Sequence, residues 1–152
     1  MNTTVVSNAT TTGTGGDGFF VDFNDQPGLF VTVTNSIFWG NTPADFGVIN
    51  DANSTYTVTY SDIGSGFVPG PGNISADPLF SDTVGGDYHL TCSSPCVDTG
   101  TNIGAPDTDF EGDARPYDGD RDGTDEWDMG ADELDIPCIS EIYLPIILKN
   151  YQ

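Results

Sequence analysis

The sequence predicts an all-β chain: the end coils of a parallel β-helix, then an Asp-rich calcium-binding C-terminal cap, then a terminal apolar strand. Three observations lead there. The 152 residues include 19 Gly and 10 Pro, with a hydrophobic fraction of 36%. Thr, Val, Asn and Asp recur where a helical bundle would use Ala, Leu, Lys and Glu, and such residues favour short strands joined by tight turns. The first part of the chain repeats itself at offsets near 33 and 25 residues, and carboxylates crowd the stretch from Asp107 to Asp135. These features divide the chain into coils over 1–80, a cap over 81–135 and a tail over 136–152.

The repeats carry the coil assignment. Asn2-Thr3-Thr4-Val5-Val6-Ser7-Asn8 has the shape of Asn35-Ser36-Ile37-Phe38-Trp39-Gly40-Asn41. Thr32-Val33-Thr34-Asn35-Ser36 resembles Thr57-Val58-Thr59-Tyr60-Ser61. Unequal spacing of this size suits stacked coils, in which loop lengths vary while short strands keep register. Asn8 and Asn41 then end equivalent strands, placed to stack as an Asn ladder. Glycine-rich stretches at 13–18 and 64–72 mark turns, and Asp87-Tyr88-His89-Leu90 reads as a strand. The last element is the apolar run Ile142-Tyr143-Leu144-Pro145-Ile146-Ile147-Leu148.

Charge narrows the partners. Against 24 acidic residues stand 3 Lys plus Arg, for a net charge of -21. Nucleic acid and anionic membrane both require basic surface, so neither is expected. No apolar run reaches the roughly 18 residues of a membrane-spanning helix. Self-repulsion at this charge is relieved by cations, and metal ions are the natural partners. The first residues lack the positive and apolar regions of a secretory leader, so the chain reads as a mature form or as a piece of a longer one. Three cysteines and one histidine make a structural zinc site a poor fit. Cys92 and Cys96 bracket a Ser-Ser-Pro turn, which predicts a small disulfide loop in an oxidising compartment and leaves Cys138 free or intermolecular.

Asn35-Ser36-Ile37-Phe38-Trp39-Gly40-Asn41, Tyr60-Ser61-Asp62-Ile63, Ala76-Asp77-Pro78-Leu79-Phe80, Gly86 to Leu90, Ser94 to Gly100, Thr108 to Pro116 and Asp128 to Glu133 follow one another in a definite order. Together they resemble the C-terminal end of the choice-of-anchor Q surface proteins. The likeness runs from Val31 to Glu133. It implies a right-handed, pectate-lyase-like helix, secretion, and attachment to a cell surface through varied tails, and it implies no known reaction. Two departures are the cysteines around Ser94-Pro95 and Asp132, which stands where the family usually has an aromatic residue.

The sharpest chemical signal is the loop from Asp118 to Asp128. Asp118, Asp120 and Asp122 occupy its first, third and fifth positions, and Gly123 supplies the positive φ that lets such a loop wrap an ion. The Thr124 carbonyl follows. The twelfth position is Met129, so Glu126 or Asp128 has to close the coordination sphere. Hard oxygen ligands in this number suit Ca²⁺. A second candidate cluster is Asp107, Asp109 and Glu111 before Gly112, with the alternative that Arg115 pairs with Asp109 or Glu111. Four Asn-x-Ser/Thr sequons begin at Asn2, Asn8, Asn53 and Asn73.

No catalytic set stands out. Arg121 lies inside the metal loop, Lys149 lies in the tail, and a lone strand histidine such as His89 is usually structural. The expected function is therefore non-enzymatic: a secreted, calcium-stabilised structural or surface protein that assembles with copies of itself, head-to-tail or by strand exchange. Cell-surface polysaccharide is a second candidate partner. The alternatives are the C-terminal piece of a carbohydrate-active β-helix enzyme, or a carbohydrate-binding module using Trp39, Tyr56, Tyr60 and Trp127.

Overall fold

The computed structural model describes residues 2–9, 18–23, 28–49, 55–65, 68–136 and 138. Among them the chain is all-β and carries no helix. The expected tail strand at 142–148 lies outside the described residues.

Seven strands build three parallel sheets. β1 (Thr3–Val6), β4 (Ser36–Trp39) and β7 (Asp62–Ile63) form one, in the order β1-β4-β7. β2 (Phe19–Asp22) pairs with β5 (Phe46–Ile49), and β3 (Phe30–Thr34) pairs with β6 (Thr55–Thr59). The register follows the repeats: Thr3 pairs with Ser36, and Thr32 with Thr57. A separate antiparallel hairpin joins β8 (Phe80–Asp82) to β9 (Asp87–Leu90). No helix among the described residues is long and apolar enough to cross a membrane.

The three parallel sheets share one core. Val33, Phe38, Phe46, Val58 and Ile63 come from β3 to β7 and are all buried. Phe19 stacks on Phe46 with ring centroids 5.3 Å apart, and Phe38 meets Phe46 edge-on at 6.0 Å. Asn35 ends β3 and Tyr60 ends β6, each with φ of 48. This left-handed conformation turns the chain sharply from one sheet into the next, and Asn tolerates it better than most residues.

Along β4, side chains alternate between two cores. Phe38 faces the first core, while Ile37 and Trp39 face a second made with Leu90, Cys96, Val97, Met129 and Leu134. Both faces of this sheet are therefore covered, and Ser36–Phe38 reads as a continuous buried run. The Asp-rich segment lies beside the sheet, against its outer face. Gly130 donates its N–H to the Asn35 carbonyl, and Ala131 donates to Thr4 Oγ1. Asn35 clamps the same segment through Thr101, accepting from its N–H at 2.9 Å and donating Nδ2 to its carbonyl at 2.6 Å. Gly130 has φ of 101, a conformation that favours glycine, and a Cβ there would lie 2.8 Å from Ile37 Cδ1.

The disulfide differs from the expected one. Cys92 is bonded to Cys138, with Cα atoms 5.4 Å apart, a separation that suits a bridge. Cys96, the expected partner of Cys92, is instead a free thiol. Its sulfur is turned into the second core, 3.5 Å from Asp62 Oδ2, because the turn at 93–95 points the two side chains apart in burial: Cys92 outward and Cys96 inward.

Candidate metal centre

Two groups of side chains with metal-ligating atoms converge among the described residues, and one is built around the loop the sequence singles out. Asp98, Asp118 and Asp120 each offer an oxygen within 4.8 Å of the others. That span is about twice a calcium–oxygen bond of roughly 2.4 Å, so one ion can reach all three.

Each of these carboxylates spends one oxygen on a backbone amide. Asp98 Oδ2 accepts from Asp120 N at 2.6 Å, Asp118 Oδ2 from Gly123 N at 3.1 Å, and Asp120 Oδ1 from Asp122 N at 2.9 Å. These bonds fix the side-chain directions. The remaining oxygens of Asp98 and Asp118 are buried and have no hydrogen-bond partner. A buried anionic oxygen without a donor is costly, and a cation removes that cost. Burial raises the Asp98 carboxyl above its ordinary value, despite amide donors from Asp120 and Gly119, and the nearby Asp120 and Asp118 add to the rise. Arg121 (φ 65) and Gly123 (φ 96) give the loop its two left-handed turns.

The other expected ligands go elsewhere. Asp122 Oδ1 accepts from Thr124 N, closing a local turn. Glu126 bridges to Tyr117 through its backbone and is exposed. Asp128 is buried and accepts from Asp98 N and Leu134 N. Burial pushes its carboxyl up to about 8, with Glu133 adding to the rise. So Asp128 braces the loop from behind, and Asp98, 20 residues upstream of Asp118, is the third carboxylate of the convergent group.

The second expected cluster does not converge. Asp107 is exposed and bonds Arg115 through its main chain. Asp109 Oδ1 accepts the amides of Glu111, Gly112 and Asp113, and its other oxygen accepts from Glu133 N. Burial raises its carboxyl, but those four amides outweigh burial and hold it below the usual value. Arg115 is buried and lies 3.3 Å from Glu133 Oε2, outside good hydrogen-bond geometry, while its Nη2 donates to the Gly130 and Asp132 carbonyls. Burial pushes Glu133 up to about 7 against the pull of Arg115.

Glu111 joins the second convergent group, with His89 and Asp132. His89 is held between Asp87 Oδ1 at 2.5 Å and Glu111 Oε2 at 2.7 Å, and these two bonds raise its pKa to about 9. Among the described residues no serine or threonine hydroxyl bonds His89. The aromatic residues of the carbohydrate-binding alternative are divided: Trp39 and Tyr60 pack on the second core, and Tyr56 on the first.

No protein-family model, curated protein or solved structure matches the chain.

Proposed function

We propose that this chain is a non-enzymatic, calcium-stabilised structural module of a secreted surface protein. Its parallel sheets are read as end coils of a right-handed parallel β-helix, as in the choice-of-anchor Q proteins it resembles. The observation that carries the calcium reading is the pair of buried, unpartnered oxygens on Asp98 and Asp118, two carboxylates that group with Asp120. The Cys92–Cys138 bridge supports an oxidising, extracellular setting. The dispersal of Trp39, Tyr56 and Tyr60 into two cores argues against an aromatic sugar platform. Self-association is the accompanying reading.

Calcium titration tests the central claim. At 100 times its dissociation constant an ion adds about 2.7 kcal/mol to stability. Calcium should raise the melting temperature and EDTA should lower it. Asp98→Asn and Asp118→Asn should each abolish the response. A melting curve indifferent to both calcium and chelator, in protein free of metal by elemental analysis, overturns the reading.

A further inference from the structure

Cys and His are too few in this chain for a closed, four-ligand zinc centre, but an open centre needs three protein ligands and takes water in its remaining position. A set of that kind lies outside the loop at 118–128. A ring nitrogen of His89 and one carboxylate oxygen each of Glu111 and Asp132 lie within 4.8 Å of one another. The three come from different parts of the chain. His89 belongs to β9, Glu111 to the turn closed by Asp109, and Asp132 to the stretch between Met129 and Leu134 that packs against Ile37 of β4.

The imidazole is oriented from behind. Asp87 Oδ1 accepts the His89 backbone N–H at 3.1 Å and also bonds Nδ1 of the ring. With Nδ1–H given to Asp87, the neutral ring keeps its lone pair on Nε2, which is 2.7 Å from Glu111 Oε2. A histidine whose far nitrogen is tied to a carboxylate is the usual setting of a metal-bound imidazole. The Phe110 ring lies beside it, with centroids 5.9 Å apart.

Asp132 gives an independent reason for a cation. It is 6% exposed. Its Oδ2 accepts the Leu90 N–H at 2.7 Å, while its Oδ1 accepts no hydrogen bond from the described residues. Arg115 donates to the Asp132 carbonyl and so leaves the carboxylate to this group. A carboxylate buried with so few donors gains from a metal ion. His89, Glu111 and Asp132 also line cavities of about 510 and 240 Å³ among the described residues, which give water ligands access.

We propose that His89, Glu111 and Asp132 form a second metal site, one that takes a divalent transition ion of the zinc class. The imidazole decides the class: it suits zinc and its neighbours, whereas calcium needs six to eight oxygens. Tetrahedral ligands about 2.0–2.1 Å from zinc lie about 3.3 Å apart, so Glu111 Oε2 retreats from Nε2 by about half an ångström. The Glu111 side chain is 46% exposed and free to make that move. The proton shared by Nε2 and Oε2 leaves to solvent as the ion enters. None of these ligands belongs to the Asp98 group, so the site stands whether or not that group holds calcium.

The test adds zinc to calcium-saturated protein, so that the Asp98 group does not compete. Calorimetry measures binding, and NMR follows the ring signals of the single histidine. A single zinc ion per chain, with the histidine signals shifted, is the expected result. His89→Gln should abolish binding, and Asp98→Asn should leave it unchanged. Removing a carboxylate that orients a ligand costs about 10–100-fold in metal affinity. Asp87→Ala should fall in that range, and Glu111→Gln and Asp132→Asn should lose at least as much. Each variant is first checked for the Cys92–Cys138 bridge; Glu111 is exposed, so Glu111→Gln decides the matter if Asp132→Asn does not fold. Histidine signals unmoved by zinc overturn the proposal. So does zinc held equally well by Glu111→Gln, which is the behaviour of a surface histidine acting alone.

Discussion

Asn41 lies under Asn8, 33 residues away in sequence, and accepts two hydrogen bonds from it at 2.9 Å each. The same side chain donates Nδ2 to the Val5 carbonyl and to Asp45 Oδ1, while its own N–H donates to Asp45 at 2.7 Å. Asp45 is buried and also receives the N–H and hydroxyl of Ser65. One asparagine thus ties β1, β4 and the turn after β7 into a single polar spine along the edge of the first core.

Replacing Asn41 with Ala removes one donor from Asp45, which keeps the backbone N–H of residue 41, removes the donor to the Val5 carbonyl, and takes the acceptor from the Asn8 N–H. Each unsatisfied buried group costs about 1–3 kcal/mol. Asn41→Ala should therefore destabilise the fold by about 2–4 kcal/mol, read from urea denaturation. Asn8→Ala, at the exposed end of the ladder, should cost less than half as much. Equal losses would mean the spine does not act through Asp45.

Asp62 is fully buried, accepts the Ala76 N–H, and lies against the Cys96 thiol. Burial pushes its carboxyl from 3.8 to about 6, against the pull of those two donors. A folded-state pKa above the unfolded value means that folding favours the protonated form. The contribution of Asp62 is full below about pH 4 and is lost as pH rises through 6. At 1.36 kcal/mol per pH unit, the ionised group costs about 3 kcal/mol above pH 7. Asp62→Asn should stabilise the protein at pH 8 by about 1–3 kcal/mol and have little effect at pH 4. Denaturation curves of both proteins at the two pH values check this. A variant less stable than wild type at pH 8 refutes it.

Calcium should discriminate between the residues the sequence marks and those the geometry gathers. Asp122 sits at the fifth position of the loop, yet the carboxylates that group within 4.8 Å are Asp118, Asp120 and Asp98. Asp122→Ala should keep most of the calcium-dependent rise in melting temperature, while Asp98→Asn removes it. Isothermal titration of both variants checks the order. Loss of binding in Asp122→Ala alone would return the site to the linear loop.

The contrast between Asp98 and Asp122 shows what the sequence could reveal. Repeats at fixed offsets report register directly, because stacked parallel strands place equivalent residues in contact; Thr3 over Ser36 and Thr32 over Thr57 were legible for that reason. The pairing of β2 with β5 was not, since Phe-Phe-Val-Asp and Phe-Gly-Val-Ile share too little. Linear spacing also singled out Asp118 and Asp120, which group with Asp98. It missed Asp98, because a third carboxylate delivered by another turn leaves no periodic mark. The seat of the Asp-rich segment was hidden for a related reason. Ile37 and Trp39 read as part of one apolar run, and nothing local says that their face is covered by residues 90–134. A partial signal existed for Asp128 and Glu133: two carboxylates beside an apolar Met129, with Arg115 the one nearby cation outside the loop.

Closure of the chain by Cys92–Cys138 sets the last prediction. The loop it closes spans 46 residues and contains the whole candidate metal centre. In the chain-entropy treatment a bridge over that length contributes about 4 kcal/mol, against about 2 for the four-residue loop between Cys92 and Cys96. Cys96 meanwhile is buried, and burial together with Asp62 pushes its thiol well above the usual range, so it resists alkylation in the native state. Alkylation of unreduced, unfolded protein should therefore label Cys96 alone, and a non-reduced digest should join the peptides of Cys92 and Cys138. Mild reduction should lower the melting temperature, and the loss should grow when calcium is removed, because bridge and ion restrain the same segment. Labelling of Cys138 without reduction, or a melting temperature insensitive to reductant, would show that the bridge does not hold the segment in place.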